Sequence, residues 1–152
     1  MNVSVIAELE RSHIPYELLP HPRTMTAAAE ARALHVPADE VAKTVVLGTA
    51  HGYIRALVPA SRRVDPMKVA AAVAEDEVRL ISESELASAY PDFELGAVPP
   101  VAGPHDEIVI DRSLRENPWI VFEAGRHDES VRVRTGDLLA ATKAVVADIC
   151  LD

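Results

Sequence analysis

A lysine set inside an apolar, β-branched run constrains this chain more than any other feature. Val41-Ala42-Lys43-Thr44-Val45-Val46-Leu47-Gly48 reads as a buried central strand, because β-branched side chains fit a pleated, covered surface. An unpaired ammonium buried there would cost several kcal/mol or lose its proton. Lys43 must therefore snorkel out of the strand end into water or be held by acceptors in a recess. The strand itself leaves both open.

Such a strand needs a core on both sides, and 152 residues suffice for one domain over 1–152 without metal or disulfide staples. The single cysteine, Cys150, sits between Ile149 and Leu151 and reads as a small apolar residue in a reducing, cytoplasmic setting. Glu8 and Glu10 soon interrupt the apolar residues after Met1, so no signal peptide is expected, and no run approaches the ~18 apolar residues of a membrane span. The net charge of −9 argues against a protein that coats nucleic acid by neutralising phosphates. Its distribution is uneven, however: residues 1–74 carry eight Lys/Arg against seven Asp/Glu, and the rest seven against seventeen. The first half can still meet a short piece of nucleic acid.

Along the chain, Val3, Ile6, Ala7 and Glu10 fall at helical spacing within residues 3–13, and Pro15 ends that helix. Tyr16–Leu19 alternates as a strand between prolines. Thr26 is a good N-cap for a helix through Leu34, closed by His35-Val36-Pro37. Val41–Leu47 and Tyr53–Pro59 predict an antiparallel hairpin in which Gly52 supplies a positive φ. Asp65-Pro66 opens a helix to Ala74, Val78–Ile81 is a short strand, and Ser82 opens a helix that stops at Tyr90-Pro91. The segment Leu95–Pro104 is too rich in proline and glycine for regular structure, yet apolar for a surface loop. Strands follow at Glu107–Ile110, Trp119–Glu123 and Ser130–Arg134, then a last helix from Asp137 to Val146 with Leu138, Thr142 and Val145 on one face. This order predicts an α+β fold in one domain, with a mixed, mostly antiparallel curled sheet flanked by helices.

The familiar chemistries fail on spacing. The six histidines show no paired metal-ligand spacing and one cysteine cannot complete a thiolate site, so no metal is expected. Neither a Walker loop nor GxGxxG is present, and no cofactor is expected. Ser61 and Ser113 lack a nucleophile-elbow context. Lys43 and the Gly96–Pro100 loop remain, with the simple alternatives that the loop is only a rigid turn, His127 a solvated turn residue and Asp111 a turn cap.

Four segments occur in a telling order: Val41-Ala42-Lys43-Thr44-Val45-Val46-Leu47, Phe93-Glu94-Leu95-Gly96-Ala97-Val98-Pro99-Pro100, Ile108-Val109-Ile110-Asp111-Arg112-Ser113 and Glu123-Ala124-Gly125-Arg126-His127. Together they resemble the YbaK/ProX aminoacyl-tRNA deacylases, which are similar to the editing domain inserted in bacterial prolyl-tRNA synthetases. The resemblance spans nearly the whole chain. It implies hydrolysis of the ester joining a wrong amino acid, alanine or cysteine, to the 3′-terminal ribose of tRNA(Pro), with prolyl-tRNA synthetase as a working partner. It makes Lys43 the residue most needed for activity and gives the loop of Gly96, Ala97, Val98, Pro99 and Pro100 the task of shaping the aminoacyl pocket. His127 and Asp111 match positions that bear on activity or the pocket, and His21 falls where the family places part of the pocket rim. Attack by water assisted by a hydroxyl of the substrate's own ribose is the mechanism so implied, and it requires no side-chain nucleophile.

One departure concerns Pro100-Val101-Ala102-Gly103, where relatives reach glycine one residue sooner. The Phe-Glu-x-Gly-Ala-Val-Pro-Pro wording is closer to members that remove alanine than to those that remove cysteine. Only the acceptor end of the tRNA need be held, and Arg23, Arg62, Arg63 and Lys68 are available for its phosphates. Two other readings stay open on sequence grounds: a non-catalytic module on this fold that recognises an aminoacyl group or docks a partner, and a small-molecule esterase acting without tRNA.

Overall fold

The computed structural model describes residues 5–102 and 106–152. Its elements run α1 (Val5–Arg11), β1 (Tyr16–Pro20), α2 (Ala27–Leu34), a 3₁₀ turn (Ala38–Glu40), β2 (Ala42–Thr49), β3 (Gly52–Pro59), α3 (Pro66–Val73), β4 (Arg79–Leu80) and α4 (Glu83–Ala89). After the proline-rich loop come β5 (Glu107–Asp111), α5 (Arg112–Arg115), β6 (Trp119–Arg126), β7 (Glu129–Arg134), α6 (Thr135–Thr142) and β8 (Val145–Ala147).

Local chemistry sets the starts and stops. Thr26 accepts from the Ala29 N–H, Asp65 from Met67 and Ser82 from Glu85, so each expected N-cap satisfies a donor that its helix leaves free. Two residues turn the central hairpin, whose register runs from Thr49 opposite Gly52 to Ala42 opposite Pro59. Gly52 has φ 142°, a value that glycine adopts without a side-chain clash.

Five strands form one sheet in the order β4-β2-β3-β5-β8, and three form another in the order β1-β7-β6. The mostly antiparallel α+β architecture is as expected, but the curled sheet is two sheets. Among the described residues, a single parallel bridge, between Val41 and Val121, joins them. Alternation along β2 sends Ala42 and Val46 into one core with Phe122 and Val98, and Val45 and Leu47 into a second with Ile54, Val69 and Ile149. The hairpin is thus covered on both faces, which is why it reads as a near-continuous apolar run. A third, smaller core packs Ala31 of α2 on Val41 and Val121.

The end of the chain departs from expectation. The last helix stops at Thr142, Lys143 turns left-handed at φ 51°, and Val145–Ala147 pairs parallel to Val109–Asp111 as β8. Val145 and Val146 continue the apolar spacing of α6, but β-branched residues beside an open parallel edge gain more from the ladder than from another helical turn. The short strand expected at 78–81 narrows to Arg79–Leu80, and a four-residue helix, α5, follows Asp111 directly. The expected start of the first helix and the far side of the loop, Gly103 and Pro104, lie outside the described residues. Among those described, no helix is long and apolar enough to cross a membrane.

Candidate active site

Beyond the Val41–Val121 bridge, β2 and β6 stop pairing and diverge, and the fork between them is a cavity of about 340 Å³. Ala42, Lys43, Thr44 and Val45 line one limb, Phe122 and Glu123 the other. Gly96, Ala97 and Val98 of the loop close it, opposite Glu30 and the start of α2. Its volume falls in the range of small-molecule sites.

Lys43 is half-buried. Burial lowers its pKa, and the neighbouring Arg63 cation lowers it further. Neither side chain has a hydrogen-bonding or carboxylate partner among the described residues. Two cations that repel each other and share no counter-ion make a ready place for an anionic or strongly polarised group.

The loop is clamped on both flanks. On one side the Glu94 carboxylate accepts from the His127 backbone N–H at 2.6 Å and from Arg23 at 2.9 Å, while the Glu94 N–H donates to Gly125 O at 2.9 Å. The backbone bond from His127, then Arg23, holds the Glu94 carboxyl below its ordinary pKa. The His127 ring donates through Nε2 to Leu95 O at 2.6 Å and lies under Gly96, where an added Cβ would stand 3.4 Å from Cε1. Gly96 has φ 83°, so backbone rather than side chain faces the cavity there. On the other side the buried Arg55 donates to Pro99 O at 2.6 Å and Ala102 O at 2.7 Å, pairs with Asp106 at 2.9 Å, and stacks on Tyr90.

Gly125, at φ 91°, completes this seat: a Cβ on it would come within 2.8 Å of Phe93 Cδ1. Gly125→Ala combines that clash with a left-handed backbone, and we expect a stability loss of about 2 to 4 kcal/mol, read as a lower urea midpoint with unchanged slope.

The structure brings together Lys43, Gly96, Ala97 and Val98 of the expected residues. Pro99 and Pro100 instead form the rear of the loop, Pro99 bonded to Arg55 and Pro100 lining a different hollow beside Arg55 and Asp106. His127 lies beneath the loop, bonded to Leu95 O. His21 lies behind the wall, its Nε2 2.9 Å from Ser130 Oγ and its Nδ1 donating to Pro22 O at 2.7 Å. Asp111 does not line the cavity. It caps α5 through Ser113, accepts from the Ile149 N–H at 3.0 Å, and lies 3.8 Å from Arg62.

Sequence reading missed Glu30, Glu123 and Arg55. Glu123 and Arg55 carry the same signal as Lys43, a charge inside an apolar strand run. Glu30 carries none, since an acid in the first turn of a helix ordinarily faces water and offsets the dipole. Here it is 1% exposed and pushed up to about 7, by burial first, opposed by a bond from Ser130 and reinforced by the charge of Glu123. Glu123 is pushed up to about 8, by burial and then by Glu94. Among the described residues no group of three or more His, Cys, Asp or Glu is placed to hold a metal.

Residues 21–141 match the model of the aminoacyl-tRNA editing domain. No curated protein matches the chain. Among solved structures, a proposed trans-editing enzyme for prolyl-tRNA synthetase superposes with a TM-score of 0.86 at 26% identity, over 97% of this chain and 95% of that one. A hypothetical protein gives 0.88 at 26% identity, over 97% and 99%. A scaffold used for computational grafting of linear epitopes gives 0.85 at 26% identity, over 97% and 95%. The matched segment takes in both limbs of the fork and the clamped loop, and the chain belongs to the aminoacyl-tRNA editing domain family.

Proposed function

We propose that the chain is a freestanding aminoacyl-tRNA deacylase that hydrolyses mischarged tRNA(Pro), with alanine the favoured acyl group and cysteine the next. The observation that carries this reading is the sharing of one cavity by Lys43, with Arg63 beside it, and a glycine loop fixed on both flanks. The cations suit the terminal phosphate and the ester region of a tRNA end, and the Gly96 backbone suits close contact with a small acyl group. Lys43 is the catalytic residue, holding charge where it develops as water adds to the ester carbonyl. The bond to the ribose oxygen then breaks, that oxygen regains a proton, and the amino acid leaves as its carboxylate. A ribose hydroxyl of the substrate positions the water. Ala97 and Val98 bound the acyl group, Pro99 and Pro100 fix the loop from behind, and His127 supports it from below. His21 acts through Ser130, while Asp111 serves the fold. Prolyl-tRNA synthetase, the source of the mischarged tRNA, is the working partner in a cytoplasmic setting.

A panel of tRNA(Pro) charged with alanine, cysteine, serine, threonine or proline tests this. Alanyl-tRNA(Pro) should be hydrolysed fastest and prolyl-tRNA(Pro) spared. Hydrolysis of none of them would leave a non-catalytic recognition module. Equal turnover of simple aminoacyl esters without tRNA would leave a small-ester hydrolase.

A further inference from the structure

Resting on the deacylase reading, we infer that Glu30, with Glu123 beside it, is a specificity-determining residue that receives the α-ammonium of the esterified amino acid. The cavity then accepts free aminoacyl esters and rejects those whose amine is blocked or replaced.

Ser130 Oγ lies 2.6 Å from Glu30 Oε2 and 2.9 Å from His21 Nε2. Because Pro22 O can only accept, His21 Nδ1 carries a hydrogen. The chain His21–Ser130–Glu30 therefore has two self-consistent forms. In one, His21 is cationic and donates to Ser130, which donates to ionised Glu30. In the other, neutral Glu30 donates to Ser130, which donates to His21. A proton can leave Glu30 along this chain without either residue reaching bulk water.

Glu123 has a parallel arrangement. Its Oε2 lies 3.1 Å from His127 Nδ1, and the opposite ring nitrogen donates to Leu95 O. Each carboxyl thus gives one oxygen to a histidine-linked chain. The other oxygen, on a side chain more than nine-tenths buried and lining the cavity, meets no donor among the described residues. Glu123 and Ser130 are cross-strand partners of β6 and β7, so both carboxyls face the fork from one side.

The cavity is therefore bipolar, with the Lys43 cation on the β2 limb and two open carboxyl oxygens on the β6 and α2 side. A hydroxyl could satisfy one open oxygen but would leave the buried pair with no opposite charge to offset ionisation. A cation meets both needs. In the ester of a small neutral amino acid the only cation is the α-ammonium, one carbon from the carbonyl under attack. Its N–H groups donate to ionised Glu30, and the proton that Glu30 held passes through Ser130 to His21.

The test compares alanyl-tRNA(Pro) with lactyl-tRNA(Pro), which bears a hydroxyl in place of the amine, and with N-acetylalanyl-tRNA(Pro). Each rate is divided by that of uncatalysed hydrolysis. The wild type should prefer the alanyl ester by about 10- to 100-fold, the range for a buried charge-assisted bond. In Glu30→Gln, which keeps the shape and one acceptor, the preference should fall to within about threefold. Glu123→Gln should reduce it too and serves where Glu30→Gln does not fold. Equal wild-type rates on alanyl and lactyl esters would overturn the inference without any variant. So would an unchanged preference in a folded Glu30→Gln, and both results would leave the deacylase reading intact. Hydrolysis of none of the three esters by the wild type would instead remove that reading, and this inference with it.

Discussion

Lys43→Ala should slow hydrolysis of mischarged tRNA(Pro) by about 10²- to 10³-fold, the loss seen when one preorganised charge-stabilising group is removed from an acyl-transfer site. Three features of its setting support so large an effect. The ammonium is half-buried, so water screens it weakly, and its stem is fixed on a strand that pairs with β3 along its whole length. It also has no described counter-ion to compete with substrate. Alanine at a half-buried strand position leaves the ladder intact, so folding stability should change little. Lys43→Arg keeps the charge but replaces a compact ammonium with a planar fork, and should recover only part of the rate. Single-turnover kinetics on alanyl-tRNA(Pro) would measure both. A rate for Lys43→Ala within twofold of wild type would reduce the lysine to a snorkelling side chain.

Asp111→Ala should act on the other axis. This carboxylate satisfies the buried Ile149 N–H and the first turn of α5, so its removal orphans a buried donor and deletes a cap. We expect a loss of about 2 to 4 kcal/mol, seen as a lower urea midpoint. Burial alone would raise its pKa, but the bonds from Ser113 and Ile149 outweigh burial and hold it below the ordinary aspartate value. Because the folded state is the weaker base, the stabilisation is present above the unfolded pKa and is lost as pH falls through the folded one. The wild type should therefore lose stability faster than Asp111→Ala on acidification below about pH 4. An unchanged midpoint with lost deacylation would return Asp111 to the substrate site.

How far the sequence revealed this molecule depends on the range of the interactions involved. Thr26, Asp65, Ser82 and Gly52 act within three residues of themselves, and each was readable from its neighbours. Lys43 was readable because a charge conflicts with its own strand. Glu30 was not, since its burial comes from Ser130 on a strand one hundred residues away, and no local pattern encodes that contact. Likewise β8 exists because β5 offers it an edge, a fact absent from the Val145-Val146 spacing. The family resemblance names the Gly96 loop and Lys43 together, and both line one cavity, but only the fold separates residues that touch the cavity from those, such as Pro99 and Asp111, that lie outside it.

The single rung at Val41 and Val121 has a consequence for how such a protein changes its diet. A pocket walled by side chains is resized one methyl group at a time, each step disturbing the packing around it. Here the opening is a wedge between two ladders, and its depth is counted in backbone pairings. One more pairing between the limbs would shorten the wedge by about 3.3 Å, the rise of one strand residue, while the loss of the existing one would let it deepen toward the small apolar patch formed by Ala31. Capacity can thus move in coarse increments set by strand register, leaving the charged groups on either bank in place.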